Sequence, residues 1–186
     1  AGADMFSLPR EALREQTAEK EVRKVRLIKV DGIIDRLQES FLTRQMDRAV
    51  AEGAQVIVFE IDSPGGHLDS SFNLSHAIVD LEAKKVRTIA YVPQMAISGA
   101  AIIALGCDEI IMHPDAKIGD AGPIEVRPGH AFERAPEKIL SPMLVVLRER
   151  AEKKHRPTAL CAAMADRTAK VFEVTKKMPN GQTIKA

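Results

Sequence analysis

Three runs of aliphatic and β-branched residues punctuate the chain, at Val25 to Val30, Gln55 to Ile61 and Val86 to Val92. The first alternates apolar with polar positions, the pattern of a strand with one wet face. The second, QVIVFEI, is almost continuously apolar, as in a strand covered on both faces. Between these two runs, spacing by three and four predicts a helix over roughly Leu37 to Glu52, with Phe41, Met46, Ala49 and Val50 on its apolar side and Gly53 as its stop. Asp62-Ser63-Pro64-Gly65-Gly66 breaks the pattern before a second helix over about Leu68 to Ala83. After the third run comes a short loop, then a small-residue helix over Ser98 to Gly106 and a short strand, Glu109 to Met112, ending at His113-Pro114. Strand and helix alternating in units of about 30 residues predict an α/β fold with a mainly parallel sheet flanked by helices. Sites in such sheets form where strands end and lead into helices, and the loops 62–67 and 93–98 hold that position.

The rest of the chain is more irregular. Residues 9–23 are charged with little apolar periodicity, which suits a solvated helix or an arm. Residues 119–136 are rich in Gly and Pro and are expected to be mobile. A long helix runs on to about Lys154; Ser141-Pro142 is a good start for it, so Lys138 falls either in its first turn or in the preceding loop. A short helix over Thr158 to Ala165 follows Arg156-Pro157, and the Asn180-Gly181 turn signal makes the tail a small hairpin or a disordered end. The expected division is a charged arm over 1–24, one domain over 25–166 and a basic tail over 167–186.

Composition narrows the function classes. The chain has 186 residues, long enough to bury a core without metal or disulfide staples, and its formal net charge is +1. That balance, with one Tyr, six Phe and no Trp, argues against a nucleic-acid binder. The charge is unevenly spread, +2 over residues 1–29, −5 over 30–166 and +4 over 167–186. No apolar run approaches the ~20 residues of a membrane helix. Cys107 and Cys161 sit in Ala-rich surroundings without any metal-ligand spacing, so both read as small buried thiols, and no metal is expected.

Two loops carry candidate chemistry. Pro64-Gly65-Gly66 is either a tight turn or a place where glycines let backbone N–H groups face a developing oxyanion. Ser98, in Ile97-Ser98-Gly99-Ala100, is either a helix cap or a nucleophile, because a helix N-terminus favours negative charge and its small neighbours leave room for a substrate.

Taken together with Asp108-Glu109-Ile110-Ile111-Met112-His113-Pro114, Lys117-Ile118-Gly119 and the weaker Pro136-Glu137-Lys138-Ile139, these loops resemble the Clp-peptidase and signal-peptide-peptidase superfamily. Within it the chain is most similar to NfeD-type membrane-associated serine proteases, over about residues 25–165. The resemblance implies a Clp/crotonase-like fold, a superhelix of β-β-α repeats. It implies a Ser–Lys peptidase with Ser98 as nucleophile, Lys138 as general base, the N–H groups of Gly66 and Gly99 as oxyanion hole, and Pro64, Gly65 and His67 against the substrate. It needs no cofactor. The lysine must act as a neutral amine, so burial or a cationic neighbour has to lower its pKa from about 10.4. Lys117 is the fallback base. Clp peptidases use a His–Asp pair instead, but residues 116–122 contain no His and His113 comes too early, which disfavours a triad.

The resemblance also implies a hydrophobic peptide substrate, belonging to a membrane-associated partner such as a stomatin-like protein, and a homodimer or higher oligomer. It places the chain as a soluble domain of a membrane-anchored parent, on the non-cytoplasmic side. Two other readings stay open. One is a crotonase-type acyl-CoA enzyme, with Asp69 and Asp120 as the nearest carboxylates. The other is an inactive scaffold that only binds a membrane partner.

Overall fold

The predicted strands form and pair in parallel. The computed structural model describes residues 23–125, 133–172, 174–178 and 183–185. β1 (Val25–Ile34) pairs with β2 (Val56–Gly66) along its whole length, with Val25 opposite Val56 and Ile34 opposite Gly66. A bulge at Gly32, where φ is 72°, shifts the register between Asp31 and Ile33. On the other edge of β2, β3 (Arg87–Val92) pairs with the first half, and β4 (Met95–Ile97) takes its place at Ser63, opposite Ala96. β5 (Glu109–Met112) adds to β3 and β6 (Lys117–Gly119) to β4. One long strand therefore serves two neighbours in succession, and the sheet curls. All six strands are parallel, so the ends of β2, β4 and β6 come together at Gly66, Ile97 and Gly119.

Helices cover one face. α1 (Arg36–Ala51) begins at Asp35, whose Oδ1 accepts the N–H of Gln38 at 2.8 Å. It buries Met46 and Ala49 as expected, with Val50 packed against the core, but Leu42 takes the inward place expected of Phe41, which is 47% exposed. α2 (Leu68–Asp80) ends in a 3₁₀ turn at Leu81–Lys84. α3 (Gly99–Gly106) is buried all round. Ile57, Phe59 and Ile61 of β2 pack against Leu42, Met46, Leu74, Ile78 and Ile103, and burying each such side chain contributes about 1.5–3 kcal/mol. α3 also packs outward: Ala101, Ile102 and Leu105 meet Met143, Leu144 and Leu147 of α4 (Glu137–Lys153), and Cys161 and Ala162 of α5 (Thr158–Ala163).

Small residues set the distance between α2 and α3. A Cβ on Gly106 would stand 2.9 Å from the Ser75 carbonyl oxygen, and one on Gly99 would collide with the Ser71 hydroxyl. Arg156 closes the far end of α3, donating from Nη1 to the Leu105 carbonyl at 2.9 Å and from Nη2 to that of Cys107 at 2.6 Å.

Several boundaries differ from expectation. β2 does not stop before the Pro-Gly-Gly run but continues through Gly66, because β1 reaches far enough to pair with both glycines. Residues 95–97, expected as loop, are the strand β4. α4 starts at Glu137, so Lys138 is in its first turn and Pro142 lies within the helix. Lys117, the fallback base, is the first residue of β6. Parts of the 119–136 segment form a hairpin, β7 (Ile124–Glu125) with β8 (Glu133–Arg134), while 126–132 fall outside the described residues. So do residues 1–22 of the arm expected over 1–24. In the tail, β9 (Thr175–Lys177) pairs antiparallel with β10 (Thr183–Lys185), while the expected Asn180-Gly181 turn falls outside the described residues.

Candidate functional site

Ser98 follows β4 and heads α3 with φ 55° and ψ −123°, a conformation that L-residues avoid at a cost of about 1–3 kcal/mol. Its hydroxyl caps nothing, while its carbonyl accepts from Ala101 N at 3.0 Å. The capping alternative is thereby removed. Its own N–H donates to the Gly119 carbonyl at 2.9 Å, which ties the strained residue to the end of β6.

The two glycines beside it are required by close approach. Gly65 has φ 95°, and a Cβ there would stand 2.6 Å from Ser98 Cβ and 2.8 Å from Gly99 N. A Cβ on Gly66 would run into the Ile34 backbone. A Cβ on Gly99 would lie 3.5 Å from Gly66 N, so the N–H groups of the two expected oxyanion residues belong to adjoining backbone. Ser63 holds the glycine segment in place: its Oγ donates to the Gly32 carbonyl at 2.5 Å and accepts the Gly65 N–H at 3.0 Å. Ser71 does the same for the start of α2, donating to the His67 carbonyl at 2.9 Å. Sequence reasoning missed both serines. Ser63 works across 31 residues, and no local pattern signals that; Ser71 looks like any small residue inside a helix.

Ser98 opens onto a cavity of about 890 Å³. Pro64, Gly65, Gly66 and His67 line it from β2 and the start of α2, and Ile33, Arg36, Leu68 and Ile97 line it nearby. Pro123, Ile124, Ala135 and Ile139 form the facing wall. Asp69 and Asp120 are also on its surface. Lys138 and Lys117 are not: both are exposed, Lys138 one residue before the cavity-lining Ile139 and Lys117 at the start of β6. His113 is exposed, 3.8 Å from Asp115, and does not reach the cavity. The thiols take no part. Burial pushes Cys107 up to about 12 and also raises Cys161. Among the described residues no group of three His, Cys, Asp or Glu side chains is arranged to hold a metal ion.

A curled parallel sheet, with a strained serine at the head of a buried helix between glycine N–H groups, defines a Clp-like architecture. Solved structures agree. The 1510-N membrane-bound stomatin-specific protease, in a serine-to-alanine mutant, superposes with a TM-score of 0.71 at 25% identity, over 78% of this chain and 70% of that one. A lysine-to-alanine mutant of the same protease, in complex with a substrate peptide, gives 0.70 at 25% identity over 78% and 67%. ClpP1 from Listeria monocytogenes shares the fold alone, with a TM-score of 0.57 at 15% identity over 78% and 80%.

The chain belongs to the NfeD1b N-terminal domain family, which matches it over residues 24–186. It is 32% identical to the membrane protein NfeD1b of Bacillus subtilis over 149 residues, covering 80% of this chain and 32% of that protein. It is 31% identical to the membrane-bound protease PH1510 of Pyrococcus horikoshii over 126 residues, covering 63% and 28%. The chain thus spans about a third of the length of these relatives. Its family is protease-like, and its relatives are membrane proteins. Among the described residues no helix is long and apolar enough to cross a membrane.

Proposed function

We propose that the chain is a serine endopeptidase with a Ser–Lys dyad, acting on hydrophobic peptide segments. The observation that carries this reading is Ser98, strained at positive φ, uncapped and open to the cavity beside Gly66 and Gly99. Ser98 Oγ attacks the peptide carbonyl carbon while Lys138 Nζ takes its proton. The N–H groups of Gly66 and Gly99 hold the resulting oxyanion, and each such donor is worth about 10²–10³ in rate. As the C–N bond breaks, Lys138 returns the proton to the leaving amine, and water then cleaves the acyl ester. Lys138, exposed in the first turn of α4 next to the cavity-lining Ile139, must turn into the cavity for this. Pro142 assists, because it has no N–H to bond the Lys138 carbonyl and so loosens that turn from the rest of α4.

Apolar walls at Ile33, Leu68, Ile97, Ile124 and Ile139 suit aliphatic side chains. We read the substrate as a segment of a membrane-associated, stomatin-like partner, and the 1510-N relative, a stomatin-specific protease, supports that reading. The chain works as a homodimer or higher oligomer and as part of a membrane-anchored protein, on the non-cytoplasmic side. Incubation with casein tests the dyad: the wild type cleaves, and Ser98→Ala and Lys138→Ala do not. Cleavage by Ser98→Ala refutes the reading, and cleavage by Lys138→Ala alone moves the base to Lys117 or another group.

One observation favours a second reading. Asp69 and Asp120 share the cavity with the glycine N–H groups, as a crotonase-type acyl-CoA enzyme would require. That chemistry does not need Ser98, and the same Ser98→Ala variant separates the two.

A further inference from the structure

The chain after α5 differs in its charge from the body it leaves. On the body, Lys29 lies 3.2 Å from Glu60, Lys84 3.8 Å from Asp47 and Lys153 3.7 Å from Glu82. After α5, Arg167, Lys170, Lys176 and Lys177 are exposed, and none of them pairs with a carboxylate among the described residues. Residues 167–186 hold five basic residues against Glu173 alone, whereas 30–166 carry −5.

An apolar run lies between these cations. Phe172 is 74% exposed, Val174 59% and Val171 44%. Single apolar residues scattered over a surface call for no explanation, but three within four positions, with lysines on either side, do. An anionic bilayer matches both halves of the pattern: its phosphates take the ammonium groups, while Phe and Val side chains enter the boundary with the acyl chains. A nucleic acid would use the cations but offers nothing to the two valines, and Phe172 is the one aromatic ring in the segment. A second copy of the acidic body would use the charge, yet Glu60, Asp47 and Glu82 are already held by lysines of their own body. The two sequence relatives are membrane proteins, which points to the bilayer as well.

We propose that Lys170, Val171, Phe172, Val174, Lys176 and Lys177 form a membrane-surface contact, which docks the domain on bilayers containing anionic phospholipid. The contact is independent of the peptidase reading. Its hold is salt-sensitive, because exposed charges carry much of it.

The test sediments the whole chain with vesicles of phosphatidylcholine alone, or with about one-third phosphatidylglycerol, at low and high salt. The wild type is compared with a triple variant, Lys170→Gln with Lys176→Gln and Lys177→Gln, and with Phe172→Ser. All four positions are exposed, so thermal melting should match the wild type. The wild type is expected to bind the anionic vesicles, to release them in high salt and to leave neutral ones alone. The triple variant should bind about 10²-fold more weakly, and Phe172→Ser about tenfold. No binding to anionic vesicles, equal binding to neutral ones, or unchanged binding by either variant overturns the proposal. So does an oligomer of the wild type that Phe172→Ser dissociates, which would give the run to a second copy. Binding of polyuridylate that is lost in the triple variant and kept by Phe172→Ser would give the cations to nucleic acid, and overturns it too.

Discussion

Gly65 and Ser98 are packed so closely that a Cβ on the glycine would stand 2.6 Å from the Cβ of the serine. The contact joins the end of β2 to the end of β4, and both residues have positive φ. Gly65→Ala meets the Ile97 carbonyl at 2.7 Å as well, so backbone must move. Overpacking of this kind costs about 1–3 kcal/mol and displaces the adjoining N–H groups. Chemical denaturation should show that loss, and peptidase activity per folded molecule should fall by about 10² or more.

Strain at Ser98 gives a prediction of opposite sign. Ser98→Gly removes the Cβ that makes φ 55° unfavourable, whereas Ser98→Ala keeps it. Both abolish the hydroxyl. Ser98→Gly is expected to be more stable than Ser98→Ala by about 1 kcal/mol in urea unfolding. Equal stability would mean that the site stores no strain.

Acid should loosen the back of the domain. Burial alone would raise the Asp108 carboxyl, but the Lys154 ammonium at 2.5 Å and the Thr88 N–H and hydroxyl outweigh it and hold the group below its ordinary value of 3.8. A lowered folded value stabilises the fold above the unfolded value and is lost as pH falls through the folded one. Asp108→Asn should therefore destabilise by about 1–3 kcal/mol at pH 7, leaving the buried Lys154 with only the longer pair to Glu82, at 3.5 Å. The gap to wild type should stay flat down to about pH 5 and narrow below about pH 4. Thermal melts of both proteins between pH 7 and 3 measure it.

Thiol chemistry checks the core. With Cys107 at about 12 and Cys161 raised, neither presents much thiolate at pH 8. A disulfide-exchange reagent such as DTNB should label neither thiol in the folded chain and both in denaturant. Rapid labelling of one thiol in the native protein would contradict its burial.

Much of the site was legible because each of its parts is a short contiguous motif. Pro64-Gly65-Gly66 and Ile97-Ser98-Gly99 each end a strand, and parallel pairing brings strand ends together. What escaped depended on contacts that sequence does not phase. Phe41 and Leu42 are both apolar and adjacent, and only packing on Met46 and Ala49 decides that Leu42 turns inward. The Pro-Gly-Gly run reads as a breaker, yet β1 is long enough to carry pairing through it. Lys138 sits where the motif places it, but its side chain is exposed, and no local pattern reveals that.

The nucleophile is tested most directly by covalent capture with an activated ester, which needs little help from a base. The chain is mixed with a p-nitrophenyl ester of an N-blocked leucine, quenched in acid and read by intact-mass and peptide mass spectrometry. The account predicts one acyl group per chain, on Ser98, and none on Ser98→Ala. An adduct on another residue, or none in the wild type, would contradict it.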